Sequence, residues 1–500
     1  MKQGFRQSMA WLHGWAGLVL GWLLFAIAAT GTASVFKAEI SDWMRPELNA
    51  RVDPVLALTA AIRQLEKKAG DAPAWYISAP DERTVSPIAA YESKTAPNGY
   101  VQEAMDPVTG RSDNIRDTLG GEFFYRFHFE LELPYPWGRV LASAAAMVML
   151  VTLISGIITH RRIFADFFTL RPGKGKRSWL DAHNVMGVLA MPFHLMITFT
   201  GILTLISLTL PWAGIANYGN DTEAFYNEFS PGFYSRPAAG RRAPLGDVAG
   251  MLNDARKRMG GRIGQISIVN PGDAGAVVTA TRHDGDQLAY ATGSVAYDGV
   301  TGTLLSSYTE ARPAKKTYDV LYGLHMGRFA PKFSRWLYFL CSLALAGTIG
   351  TGMMLWSVSR AKDRKPGTAF VERLTTGAIG GMPLAMVAYF WANRLIPSAV
   401  AGRSDLEVRS FFMCWGAAIL FGMLRPGRRG WSELMAVTAG AWLLLPALSA
   451  FTVGRGLLAS PFHGNGLFVG FDLVAITLGA IALSIAIKAA RSPAATVGRR

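Results

Sequence analysis

Residues Ala182 to Leu210 form an apolar run long enough to cross a bilayer, and the run carries two histidines, His183 and His194. Eleven residues separate them, close to three helical turns. One straight helix would present both imidazoles on one face, on the order of 16 Å apart along its axis. An imidazole inside a membrane is costly and needs a partner. One reading is a hydrogen bond to a neighbouring helix; the other is axial ligation of haem iron through a ring nitrogen. Two histidines on one face, with further histidines at other helix ends, favour ligation.

Half of the 500 residues are hydrophobic, only 17% are charged, and the mean hydropathy is positive. This is the balance of a polytopic α-helical membrane protein with polar parts rather than of a soluble enzyme. The net charge of +15 fits basic cytoplasmic loops and not nucleic-acid binding. The two cysteines, Cys341 and Cys414, both sit in apolar runs, and no CxxC or CxxCH occurs. Covalent c-type haem, iron–sulfur clusters and thiolate zinc are therefore not expected, and any haem would be non-covalent b-type.

Hydropathy divides the chain into about eight spans and two polar regions. An uncleaved first membrane helix covers 1–36, too long for a signal-peptide core. A polar domain at 37–137 and a second span at 138–160 follow. A basic loop, 161–181, holds Arg161, Arg162, Arg171, Lys174, Lys176 and Arg177. The third span is 182–211, the second polar domain 212–333 and the fourth span 334–358. Four more apolar runs (376–396, 408–424, 431–452 and 466–488) make a C-terminal four-helix membrane region over 376–490. Eight spans put every dense basic loop and both termini on one side, the positive-inside pattern of a multi-pass protein with both ends cytoplasmic. Both polar regions then face outward.

The first 360 residues repeat internally. His13-x3-Gly17 leads to Thr30-Gly31 as His183-x3-Gly187 leads to Thr200-Gly201, with a His-to-Thr spacing of seventeen in both. Each polar region contains Asp-x-Val-Thr-Gly, at Asp106–Gly110 and Asp298–Gly302. His128 precedes Ser155-Gly156 as His325 precedes Thr351-Gly352. The unit is helix, outward domain, helix, used twice in one orientation, which predicts a pseudo-twofold axis along the membrane normal. The glycines fit close helix packing, or room for a flat macrocycle, equally well.

By depth, His13, His160 and His183 form a cytoplasmic-side group. His128, His194 and His325 form an outer group, although His194 lies nearer mid-span. Two bis-histidine haems need four of the six; three haems need all of them. His283, beside Asp284-Gly285-Asp286, reads as an exposed turn residue, and His463 as a loop residue. Zinc fits less well, because it wants three or four clustered ligands. Asp181 is the one carboxylate close to these histidines on a helix, and it reads as a charge at a helix start. The C-terminal runs hold no histidine and are expected to be dispensable for haem.

Several motifs together resemble the PepSY-associated transmembrane helix family of bacterial inner-membrane proteins. They are Trp11-Leu12-His13-Gly14-Trp15-x-Gly17, Asp181-Ala182-His183-Asn184-x-x-Gly187, Pro192-Phe193-His194 and Leu324-His325-x-Gly327-Arg328-Phe329. The resemblance covers residues 1 to about 365, and within the family it is strongest to iron-regulated siderophore reductases. It implies two periplasmic α+β PepSY-like domains and b-type haems at both ends of the bundle. It also implies reduction of a ferric siderophore or other ferric chelate in the periplasm, releasing iron for uptake. No flavin or nicotinamide domain is fused here, so electrons are expected from a separate cytoplasmic donor or from quinol, with membrane lipid as the other partner. The alternative is a non-redox PepSY protein that binds or regulates a periplasmic protease or senses a ligand. The histidines discriminate, since a binding module needs no intramembrane imidazoles at two depths.

Overall fold

A computed structural model of the chain describes residues 4–491 apart from 49, 95, 97, 98, 161–168, 233, 291–292, 361–365, 426 and 460–465. From the N-terminus, α1 (Phe5–Ser34) leads to α2 (Lys37–Met44), α3 (Pro54–Lys68) and strands β1 (Ala74–Ser78), β2 (Ile88–Glu92) and β3 (Tyr100–Ala104). Helices α4 (Glu122–Glu130), α5 (Trp137–Thr159), α6 (Lys176–Leu189) and α7 (Met191–Thr204) follow, then short α8 (Ile206–Thr209), α9 (Trp212–Tyr218) and α10 (Thr222–Phe229). Next come α11 (Val248–Met259), β4 (Ile263–Val269), β5 (Val277–Arg282), β6 (Gly293–Asp298), β7 (Leu304–Thr309) and α12 (Pro313–Met326). Five long helices close the chain: α13 (Lys332–Arg360), α14 (Pro366–Leu395), α15 (Arg403–Leu424), α16 (Gly427–Val453) and α17 (Gly466–Arg491).

Among the described residues, seven helices are long and apolar enough to cross a membrane: α1, α5 and α13 to α17. An eighth span exists if α6 and α7, bent by 68° at their junction, count as one. The protein is thus a multi-pass helical membrane protein. Phe451, Met413 and Leu424 lie 72–91% exposed on these helices, which lipid tolerates and water does not.

The bend corrects one expectation. The run from Ala182 is not a single straight helix, so His183 on α6 and His194 on α7 do not share one continuous face. The physical cause is Pro192. It has no N–H for the carbonyl four residues back, and its ring crowds that carbonyl.

The chain divides into two compact units. The helical unit comprises the segments up to Pro46, Asp117–Thr198 and Leu337 onward. In it α1 packs along α5 and α4, and α14 packs against α15 and α16, with α17 on α16.

The α/β unit comprises Glu47–Arg116 and Phe199–Trp336. Its strands make one sheet in the order β3-β2-β1-β4-β5-β6-β7, antiparallel throughout. The two polar regions therefore share a sheet. They join through β1 and β4, with Trp75 opposite Ile268 and Ile77 opposite Ile266. Each of these strands is the first after its helix, so α3-β1-β2-β3 and α11-β4-β5-β6 are related across the antiparallel pair. Leu58 and Leu65 of α3 and Leu252 of α11 pack into one core with Trp75, Ile77, Ile266, Ile268 and Val278. The repeated turn is the same in both halves. Asp106 Oδ1 accepts the Val108 and Thr109 amides at 3.0 and 2.8 Å, and Asp298 Oδ1 accepts those of Val300 and Thr301 at 3.1 and 2.8 Å. Gly110 and Gly302 close the turns at φ 73° and 74°, a conformation that other residues resist.

Candidate functional site

Four of the six candidate histidines are held in one way. Each imidazole lies against a glycine of a neighbouring helix. His13 Nδ1 bonds to the Thr152 carbonyl at 2.8 Å, beside Gly156. His183 Nδ1 bonds to the Thr348 carbonyl at 2.8 Å, beside Gly352. His128 Nδ1 bonds to the Ile27 carbonyl at 2.8 Å, beside Gly31. In each case the accepting carbonyl lies four residues before the glycine, one turn down the same helix face. His325 repeats the ring-on-glycine contact at Gly201, with Nδ1 3.2 Å from Thr200 Oγ1.

Helix geometry explains the arrangement. A side chain at position i shields the carbonyl of i−4 from lateral approach, because Cβ leans back along the helix. Removing that side chain opens the carbonyl to a donor from the next helix. A Cβ at Gly156 or at Gly352 would lie 3.0 Å from the Cε1 of its histidine, and one at Gly31 would lie 2.7 Å from His128 Nδ1. The glycines thus make way for imidazoles, a use that their positions in the sequence did not separate from helix packing or room for a macrocycle. A histidine whose Nδ1–H is bound to a backbone carbonyl is fixed in tautomer and orientation, with Nε2 left as the basic atom, the arrangement of metal-ligating histidines.

His13 and His183 come together. Their ring centres are 6.1 Å apart and their planes are inclined by 69°. Neither Nε2 has a hydrogen-bond partner among the described residues. Two imidazoles that bind one metal through facing nitrogens, at about 2 Å each, have ring centres about 6 Å apart. The 6.1 Å spacing of this pair matches that figure, and its two members occupy equivalent places in the repeat. Among the described residues no three His, Cys, Asp or Glu side chains cluster as a metal-ion site.

The other two candidates are held differently. His160 caps α5, and its Nδ1 is buried without a hydrogen-bond partner. His194 is fully buried, with Nε2 3.3 Å from the Cys341 carbonyl and Nδ1 unpartnered. Its carbonyl partner lies seven residues from that of His183 along α13, about 10 Å by helical rise. His463 lies outside the described residues.

Two side chains depart from their sequence reading. Asp181 is buried inside α6, where Arg171 grips both its oxygens at 2.8 Å, so it is half of an ion pair rather than a free charge at a helix start. His283 is not an exposed turn residue. Its side chain is 16% exposed, Nε2–H donates to Asp81 at 3.0 Å, and Nδ1 accepts the Gly285 amide at 3.0 Å. Burial pushes the Asp81 carboxyl up, but the bonds from His283 and from the Thr84 and Arg83 amides outweigh it and hold the carboxyl at about 2. The contact ties the turn after β5 to the loop after β1 across the shared sheet.

Residues 10–358 match the protein family described as the PepSY-associated TM region. Over 391 residues the chain is 26% identical to the uncharacterized protein PA4219 of Pseudomonas aeruginosa, covering 75% of this chain and 96% of that one. All six candidate histidines fall inside the matched residues, while α14 to α17 lie beyond them.

Proposed function

Because the chain belongs to the family of PepSY-associated TM proteins, we propose that it is a membrane oxidoreductase that uses b-type haem to carry electrons outward to a ferric siderophore or other ferric chelate. One observation carries the reading: His13 and His183 stand 6.1 Å apart, each with Nδ1 committed to a carbonyl and Nε2 unpartnered. A hydrogen-bonded structural histidine has no need of a second imidazole at that distance.

Bound haem would supply one-electron chemistry between ferric and ferrous iron. The residues of this chain supply the rest. His13 and His183 would hold one haem, with the Thr152 and Thr348 carbonyls raising the basicity of the ligand nitrogens. His128 and His325 are repeat counterparts and each has the same glycine contact, so each is a candidate ligand for a further haem. His160 and His194 lack that contact and are left as spares.

Sidedness rests on charge. The basic stretches 161–181 and 359–373 favour a cytoplasmic location, which puts the α/β unit in the periplasm of an inner-membrane protein. The electron donor is then a cytoplasmic protein or quinol. The non-redox alternative, a module that binds a periplasmic protease or senses a ligand, leaves the matched imidazoles without a use.

The test is optical. Detergent-purified protein should be red, with a Soret band that shifts on dithionite and is reoxidised by a ferric chelate. Colourless, iron-free protein would favour the alternative.

A further inference from the structure

Helices α14 to α17 follow the family-matched region and hold no haem-ligand candidate among their described residues. Contacts of α14 and α15 nevertheless converge on the helix that carries His128. Three phenylalanines of α4, Phe123, Phe124 and Phe127, are buried. Phe123 meets Tyr389 and Phe411 with ring centres 4.9 and 5.0 Å apart, and Phe127 meets Phe412 at 5.3 Å. His128 is the next residue, with its ring on Gly31 of α1.

The segment entering α4 is bound to the same helices. Tyr389 Oη donates to the Gly120 carbonyl at 3.0 Å, and Arg403 Nη1 to that of Asp117 at 3.0 Å. Ser404 Oγ donates to Asp117 Oδ2 at 2.6 Å, and Thr118 Oγ1 donates to Glu407. Glu407 also accepts from Asn393 and Arg403, and both Glu407 and Arg403 are fully buried. Burying an ion pair in this way is often no more stabilising than an apolar pair of similar volume. What directional bonds add is register. Each names one backbone carbonyl or side chain between Asp117 and Gly120, and a slip of α4 would break several at once.

We propose that α14 and α15 are a buttress that sets the position of His128, with Tyr389 and Glu407 as positioning residues for the haem that His128 holds. The proposal rests on the haem reading above. It also replaces the expectation that the C-terminal helices are dispensable for haem, because the ligand helix is packed on them.

The experiment uses the full chain in detergent. Tyr389→Phe keeps the ring and deletes one hydrogen bond; Thr118→Val deletes the hydroxyl that bonds Glu407. His128→Ala first identifies which haem signal belongs to His128. In each positioning variant the low-spin resonance and the midpoint potential of that haem should shift, while those of the His13–His183 haem stay in place as internal reference. Haem signals unmoved in both variants, even with lowered melting temperatures, would reduce the contacts to stability alone and overturn the proposal. Equal shifts of both haems would do the same, since the effect would not pass through α4. A wild-type protein without haem overturns the proposal together with the reading beneath it, and so is told apart from failure of the buttress.

Discussion

His13 and His183 sit on different helices, α1 and α6, with ring centres 6.1 Å apart, and each gives Nδ1 to a carbonyl 2.8 Å away. They are separated by 170 positions in the numbering and are equivalent by the internal repeat. On the haem reading, this pair would supply two equivalent axial ligands from a duplicated segment.

The glycines should be as sensitive as the histidines. In Gly31→Ala the new Cβ would fall 2.7 Å from His128 Nδ1, and in Gly156→Ala it would fall 3.0 Å from His13 Cε1. Both variants should lose haem or shift its spectrum, Gly31→Ala more strongly, with the helices still folded. Gly440→Ala, where a Cβ meets nothing within 4 Å, should leave haem unchanged and stabilise α16 by about 1 kcal/mol. Haem content per chain for the three variants checks the order.

His160 and His194 should prove replaceable. Neither has the glycine contact, and His194 faces the Cys341 carbonyl through Nε2, the atom that the paired histidines leave unpartnered. His160→Ala and His194→Ala are each expected to retain two haems per polypeptide, measured as the pyridine haemochrome. Loss of a haem in either variant would favour three haems over two.

Much of this was legible in the sequence, and the parts that were not have identifiable causes. The apolar runs marked the membrane helices, because length and hydropathy are local properties. The spacing of His13 and His183 to their Thr-Gly pairs marked the duplication, and the two Asp-x-Val-Thr-Gly stretches gave matching turns. The bend before Pro192 does not show in hydropathy, because the apolar run continues unbroken through the proline. The pairing of β1 with β4 joins positions nearly two hundred residues apart in the numbering, and nothing local to Trp75 names Ile268 as its neighbour. The carbonyl bonds of His13 and His183 involve backbone atoms, which carry no sequence signature. Tyr389 and Phe411 look like ordinary residues of apolar runs until α4 is seen against them.

Acid should loosen the α/β unit in part through Asp81. Its folded-state pKa of about 2 lies below the unfolded value of about 4, so the group stabilises the fold fully above that unfolded value. The contribution is lost as pH falls towards the folded value. It is worth about 2 kcal/mol near neutrality. Asp81→Asn should lower the unfolding temperature at pH 7, and its difference from wild type should shrink as pH is lowered through 4 towards about 2. A difference that stays constant over that range would show that the His283–Asp81 contact does not act through charge.

The account depends most on the His13–His183 pair, and haem stoichiometry with and without those ligands tests it most directly. Wild type, His13→Ala and His183→Ala would be purified in detergent, and haem and iron per polypeptide measured alongside reduced and oxidised spectra. The account predicts about two low-spin b-type haems in the wild type. It predicts loss of the same haem in both variants, with the other haem still reducible by dithionite. Wild type that is colourless and free of iron would contradict it, as would variants that keep the full haem complement and an unchanged spectrum.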